Sequence, residues 1–211
     1  MDEKFQISLA FGILYLIVAP NTSIPVGIFA HGYLWAIPSW APKVLCVDID
    51  AYWGRRPAEK DGDGKDKIVH LLDLPDDYEP TPSKSGTIWQ WHGAGINHEK
   101  TAIYCIPSNA REVLKVDCQT KQTSLIPVQV DTTKYADLDL SMTNKWYGGI
   151  VGVDNAVYGI PYRSSGVLRI DAKTDSAKVV GQDFGCGKFN WHGGKTRICV
   201  LSCFYVTVLL S

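Results

Sequence analysis

Apolar and polar positions in this chain alternate every second residue over short runs, and no window sustains the i, i+3, i+4, i+7 spacing of an amphipathic helix. The alternation is plainest between Lys145 and Gly181. There Tyr158 and Ile160 interleave with Val157, Gly159 and Pro161, and Leu168 and Ile170 interleave with Val167 and Arg169. Period two is the pleat of a strand, and β-branched and aromatic residues dominate these runs. The runs are broken at Asp154-Asn155, Ser164-Ser165-Gly166 and Thr174-Asp175-Ser176, residues that bond their own backbone or tolerate positive φ. The pattern predicts four short strands here, and helix in less than about a tenth of the chain.

The same signposts return elsewhere. An aromatic-x-Ile-Pro element stands at Trp35–Pro38, Tyr104–Pro107 and Tyr158–Pro161. Seven residues beyond each proline is a leucine (Leu45, Leu114, Leu168), and three further on an aspartate (Asp48, Asp117, Asp171). A Trp-(His/Tyr)-Gly opening recurs at Trp91, Trp146 and Trp191, spaced by 55 and 45 residues. Self-similarity at this period marks a repeat architecture. One domain over residues 1–211 is expected, divided near 1–25 (partial), 26–86, 87–144, 145–187 and 188–211 (partial).

The connections vary while the units stay constant. Residues 51–86 hold the charged stretch AYWGRRPAEKDGDGKDK, then a strand pattern from Ile68 to Leu72 and a further loop. Asp61, Asp63 and Asp66 invite a calcium reading, but an EF-hand wants an oxygen ligand fifth, glycine sixth and Glu twelfth. Counted from Asp61 those places hold Lys65, Asp66 and Leu72, so a solvated hairpin tip is expected. Residues 131–145 form a second long connection. At the N-terminal end the apolar run Ile7–Ala19 is short for a membrane span, which needs about 20 residues. Its acidic start and lack of a small-residue cleavage site argue against a signal peptide, which points to an intracellular chain. Because Leu14-Tyr15-x-Ile17 mimics Val157-Tyr158-x-Ile160, Gly12–Ile17 is expected to be a strand of a preceding unit. Asn21-Thr22-Ser23 matches a glycosylation sequon, which counts only in a secreted chain.

Composition removes some functions. With a net charge of −1 and acids and bases mixed, nothing favours nucleic acid or an anionic membrane surface as partner. The six cysteines form no C-x-x-C pair, and Cys46 and Cys105 sit on predicted strands as small apolar residues, ahead of a disulfide or metal reading. G-x-S-x-G, H-E-x-x-H, phosphate-cradling and dinucleotide-binding signatures are all missing.

Four-stranded units of ~40–50 residues, each too thin to bury its own faces, are what β-propellers are made of. The string D-x-x-(Val/Ile)-Tyr-x-Ile-Pro followed by Val-Leu-x-(Ile/Val)-Asp-x-x-Thr resembles propeller repeats of the NHL, YVTN and virginiamycin-lyase-like kind. The glycine pairs Gly148-Gly149 and Gly193-Gly194 are similar to those of kelch blades, though here they precede the aromatic strand. The resemblance implies an all-β fold of four-stranded antiparallel blades, in an incomplete ring of about four units. The pattern dissolves after Lys188–Gly194, and an unclosed ring would leave blade edges open to self-association.

Most signposts have structural roles. Asp48, Asp117 and Asp171 close strands and accept backbone N–H bonds, the three prolines end strands, and Tyr158, Leu168 and their equivalents pack blade on blade. The candidate ligand-binding residues are the openings Trp91-His92, Trp146-Tyr147 and Trp191-His192. The resemblance makes their strand the innermost of a blade, and alternation sends the Trp toward a blade interface and its neighbour toward the central channel. No residue is assigned as catalytic or as a metal ligand, and no cofactor is implied. The expected function is a non-enzymatic binding scaffold whose long loops or channel mouth meet a protein or small-molecule partner. The alternative is a metal-dependent propeller enzyme of lyase or lactonase type, with His92 and His192 around the ion.

Overall fold

The computed structural model describes residues 6–10, 13–17, 27–81 and 89–192. It is built almost wholly from strands. The first hairpin pairs β1 (Gln6–Ala10) with β2 (Ile13–Ile17), so the run read as a strand is one. The first blade comprises β3 (Gly27–Ala30), β4 (Tyr33–Ala36), β5 (Lys43–Asp48) and, after an insertion, β8 (Val69–Asp73). The insertion contains one helical turn, α1 (Ile49–Tyr52), and the small hairpin β6 (Glu59–Lys60) and β7 (Asp66–Lys67). The second blade is β9 (Trp91–Ile96), β10 (Ala102–Pro107), β11 (Val113–Asp117) and β12 (Thr123–Ile126). The third is β14 (Trp146–Val151), β15 (Ala156–Pro161), β16 (Val167–Asp171) and β17 (Ser176–Val180). Between them β13 (Val128–Gln129) leaves the second blade and adds in parallel to the outer edge of the third.

Within each blade the strands follow one another antiparallel, as propeller blades do. The register repeats too: Trp35 opposes Cys46, Tyr104 opposes Lys115, and Tyr158 opposes Arg169. The aspartates act as expected. Asp48 caps α1 by accepting from Ala51 N at 2.8 Å, Asp117 accepts from Gln119 N and Thr120 N at 2.9 and 2.8 Å, and Asp171 accepts from Lys173 N at 3.0 Å. At the insertion tip Asp61 accepts from the backbone of Asp63 and Lys65, so it closes a hairpin turn.

Two cores lie between the blades. One joins Trp35, Ile37, Val44 and Cys46 of the first blade to Trp91, Ile103, Cys105, Leu114 and Val116 of the second. The other joins Tyr104, Ile106 and Val113 of the second blade to Trp146, Val157, Leu168 and Ile170 of the third. The pleat therefore sends the aromatic of each Ile-Pro strand toward the following blade and the leucine toward the preceding one. The expectation that all of them pack blade on blade holds for Trp35, Tyr104, Leu114 and Leu168 and is corrected for two others. Leu45, facing back from the first blade, and Tyr158, facing forward from the third, are only half-buried. Tyr158 instead donates its hydroxyl to Asp154 at 2.9 Å, and Asp154 pairs with Arg169 at 2.8 Å.

The sequon at Asn21, the glycine pair Gly193-Gly194 and the apolar stretch from Ile198 lie outside the described residues. No helix among the described residues is long and apolar enough to cross a membrane.

Candidate functional site

Each Trp opening is stitched to the blade before it by the same backbone bond. The residue ahead of the Trp donates its N–H to the carbonyl just after the Ile-Pro element: Gln90 to Ser39 at 2.9 Å, Lys145 to Ser108 at 2.9 Å, and Asn190 to Tyr162 at 2.8 Å. Trp91 and Trp146 then point into the two cores, where burial of so large a ring requires a partner for its N–H. Their Nε1 atoms donate to Glu112 O at 3.0 Å and Gly166 O at 2.8 Å. Trp191 is half-buried, with its ring centroid 4.8 Å from that of Phe184.

The side chain ahead of the Trp crosslinks as well. Gln90 bonds Tyr78 and Thr81, and buried Lys145 donates to Ser108 O at 3.0 Å, Met142 O at 3.1 Å and Asn109 O at 3.3 Å. Three carbonyls thus take the three ammonium hydrogens. Burial nevertheless pushes Lys145 down to about 7.

Alternation turns the residue after each Trp the other way, and there the rings meet. His92 lies face to face with Tyr147, centroids 4.1 Å apart and planes at 17°. Tyr147 is stacked on Tyr162 at 4.2 Å and 12°. His192 stands edge-on to both tyrosines, at 5.2 and 5.5 Å, and 6.3 Å from His92. The row extends through Trp89, 5.2 Å from His92, to Trp40 at one end, and through Tyr162 to Phe189, 5.1 Å away, at the other. It crosses all three blades. Phe189 is 71% exposed and Trp40 49%, so both ends reach solvent.

The setting is apolar or cationic. Burial holds His92 below the usual imidazole range, nearby His192 acts in the same direction, and His92 Nδ1 has no hydrogen-bond partner among the described residues. Burial raises the Tyr147 phenol, whose hydroxyl donates to Asn144 Oδ1 at 3.1 Å. The Arg163 guanidinium sits 5.5 Å from the centre of the Phe189 ring. Trp89 has φ of 57°, a left-handed conformation costly for a bulky residue, and its carbonyl accepts from Asn109 N at 3.0 Å.

Of the residues singled out in the sequence, His92, Tyr147 and His192 therefore come together, while Trp91 and Trp146 are framework. Trp40, Trp89, Tyr162, Arg163 and Phe189 were not anticipated. A positional signal existed, since Trp89 and Phe189 each stand two residues ahead of an opening Trp and Tyr162 directly follows Pro161. Among the described residues no three His, Cys, Asp or Glu side chains are grouped to hold a metal ion.

No family model and no curated protein matches the chain. Among solved structures it is similar to a streptogramin B lyase (14% identity, TM-score 0.47, covering 78% of this chain and 42% of that one). It is similar also to virginiamycin B lyase from Staphylococcus aureus (12%, 0.48, 78% and 43%) and to a luciferin-regenerating enzyme (14%, 0.39, 74% and 44%). The chain spans less than half the length of each of these proteins. Their activities do not carry over at such identities, and the propeller-like architecture rests on the chain's own repeated sheets.

Proposed function

We propose that the chain is a binding module that takes a ring-bearing ligand on the aromatic row running from Trp40 to Phe189. The observation that carries this reading is the co-facial run His92, Tyr147 and Tyr162 with His192 against its edge. Blade packing does not need these rings, because the two cores are filled by residues on the opposite sides of the same strands. Exposed clusters of aromatic rings on a rigid scaffold serve contact with partners, since each ring offers a large face at small entropic cost. Binding is favoured over turnover because no carboxylate or thiol among the described residues bonds to the row, so His92 and His192, though of the type that serves in acid–base catalysis, have neither an orienting carboxylate nor a thiol nucleophile bonded to them.

Saturation-transfer NMR with indole and 2-naphthamide tests the reading. Transfer from protein to both compounds is expected in the wild type and should be lost in Tyr162→Ala. No transfer, or transfer unchanged in a folded Tyr162→Ala variant, removes the module from consideration.

A further inference from the structure

We infer that the ligand of the aromatic row is a planar ring carrying an anionic group, bound at the end formed by Tyr162, Arg163, Phe189 and His192. This rests on the binding-module reading and adds the charge of the ligand to it. Arg163 carries the argument. Its backbone is fixed from both sides, donating to Asn144 O at 3.1 Å and Lys145 O at 3.2 Å and accepting from Gly187 N at 2.9 Å. Its side chain, by contrast, lies over the face of Phe189. Among the described residues Arg55, Arg56 and Arg169 each pair with a carboxylate, whereas Arg111 and Arg163 form no ion pair, and of these two it is Arg163 that lies against the aromatic row. Its Nε is buried without a hydrogen-bond partner among those residues.

A desolvated N–H left unpaired is costly, and a guanidinium presents its donors in a flat fork that matches a carboxylate or phosphate. Phe189 and Tyr162 hold rings beside that fork, and His192 adds a nitrogen-bearing ring at the same end. The charge of Arg163 also reaches Tyr147 further along the row. A flat anion satisfies both features together, with its ring against Phe189 and Tyr162 and its charge at Arg163. A neutral ring leaves the fork unpaired.

Calorimetric titration with 2-naphthoate and its uncharged counterpart 2-naphthamide decides the matter. The acid is expected to bind at least about ten times more tightly, the worth of one charge-assisted hydrogen bond. Arg163→Gln should bring the two affinities together by weakening the acid alone, while Arg163→Lys retains part of the difference. Raising salt from about 0.05 to 0.5 M should weaken the acid and spare the amide, a readout that needs no variant. Equal affinities in the wild type, or a preference for the acid that survives both Arg163→Gln and salt, overturn the inference and leave the binding module standing. If neither compound binds, both fall.

Discussion

Gly93 and Gly148 meet across the junction of the second and third blades so closely that a Cβ on Gly93 would stand 2.6 Å from Gly148 Cα. This is backbone against backbone, and neither side has a flexible end to yield. The third residue of the Trp-x-Gly opening is therefore the point where neighbouring inner strands touch. It also explains the glycine pair, because a Cβ on Gly149 would lie 2.3 Å from the carbonyl carbon of Ala94.

Gly93→Ala should accordingly destabilise the protein by about 2–6 kcal/mol, combining a strained positive φ with overpacking. Gly62, in the insertion tip, has open space around it, and Gly62→Ala is expected to stay within about 0.5 kcal/mol. Urea midpoints of the two variants provide the check. Similar midpoints would mean that the blades do not approach as described.

Leucines at one repeat position should differ in a defined order. Leu114 and Leu168 are fully buried between blades, whereas Leu45 faces back from the first blade and is half-buried. Leu114→Ala and Leu168→Ala should each cost about 2–5 kcal/mol, and Leu45→Ala clearly less. Substitutions at exposed Lys60 or Lys65 should change stability by less than about 0.5 kcal/mol. Denaturant melts giving Leu45→Ala the largest loss would contradict the assignment of faces.

That ordering also marks how far the residues alone disclose the molecule. Period two and the turn residues disclose strands, and the shared offsets from Pro38, Pro107 and Pro161 disclose a common register that the structure repeats. The facing of Tyr158 and Leu45 was not legible, because burial of an outer face depends on what packs beyond the unit. The same holds for the candidate site. His92, Tyr147 and His192 could be found from their place after a Trp. Trp89 and Phe189 share a spacing ahead of an opening Trp and Tyr162 follows Pro161, but that these rings and Trp40 meet the others depends on how successive blades pack, which the spacing does not encode. Trp89 needs, in addition, a left-handed backbone that propensity disfavours.

Lys145 should make stability depend on pH. Burial lowers it to about 7 in the folded state, against an unfolded value of about 10.4. Below about 7 both states hold the proton and this group contributes no slope. Above that, the folded protein releases a proton that the unfolded chain keeps. Unfolding then takes up a proton, and stability rises with pH until the unfolded lysine also titrates. Urea midpoints at about pH 6.5 and 9.5 should therefore rise more in the wild type than in Lys145→Met. Parallel curves for the two proteins would show that Lys145 keeps its charge in the fold.

The cysteines on the strands should be chemically silent until the blades separate. Cys46, Cys105 and Cys118 all lie in the core between the first and second blades and are free thiols. Burial pushes Cys46 and Cys118 up to about 12 and raises Cys105 as well, so none carries an appreciable thiolate fraction near neutrality. The thiolate is the reacting species, and reagent must in any case reach it through packed side chains. Alkylation by iodoacetamide at pH 8, mapped by mass spectrometry, should thus leave these three unmodified in native protein. Cys186, half-buried and outside that core, should react first among the four described cysteines. In urea above the unfolding midpoint Cys46, Cys105 and Cys118 should label together, because they belong to one inter-blade core and lose it in one event. Labelling of Cys118 alone under native conditions would show that the two blades part locally at the outer end of β11, and that their junction is weaker than its packing implies.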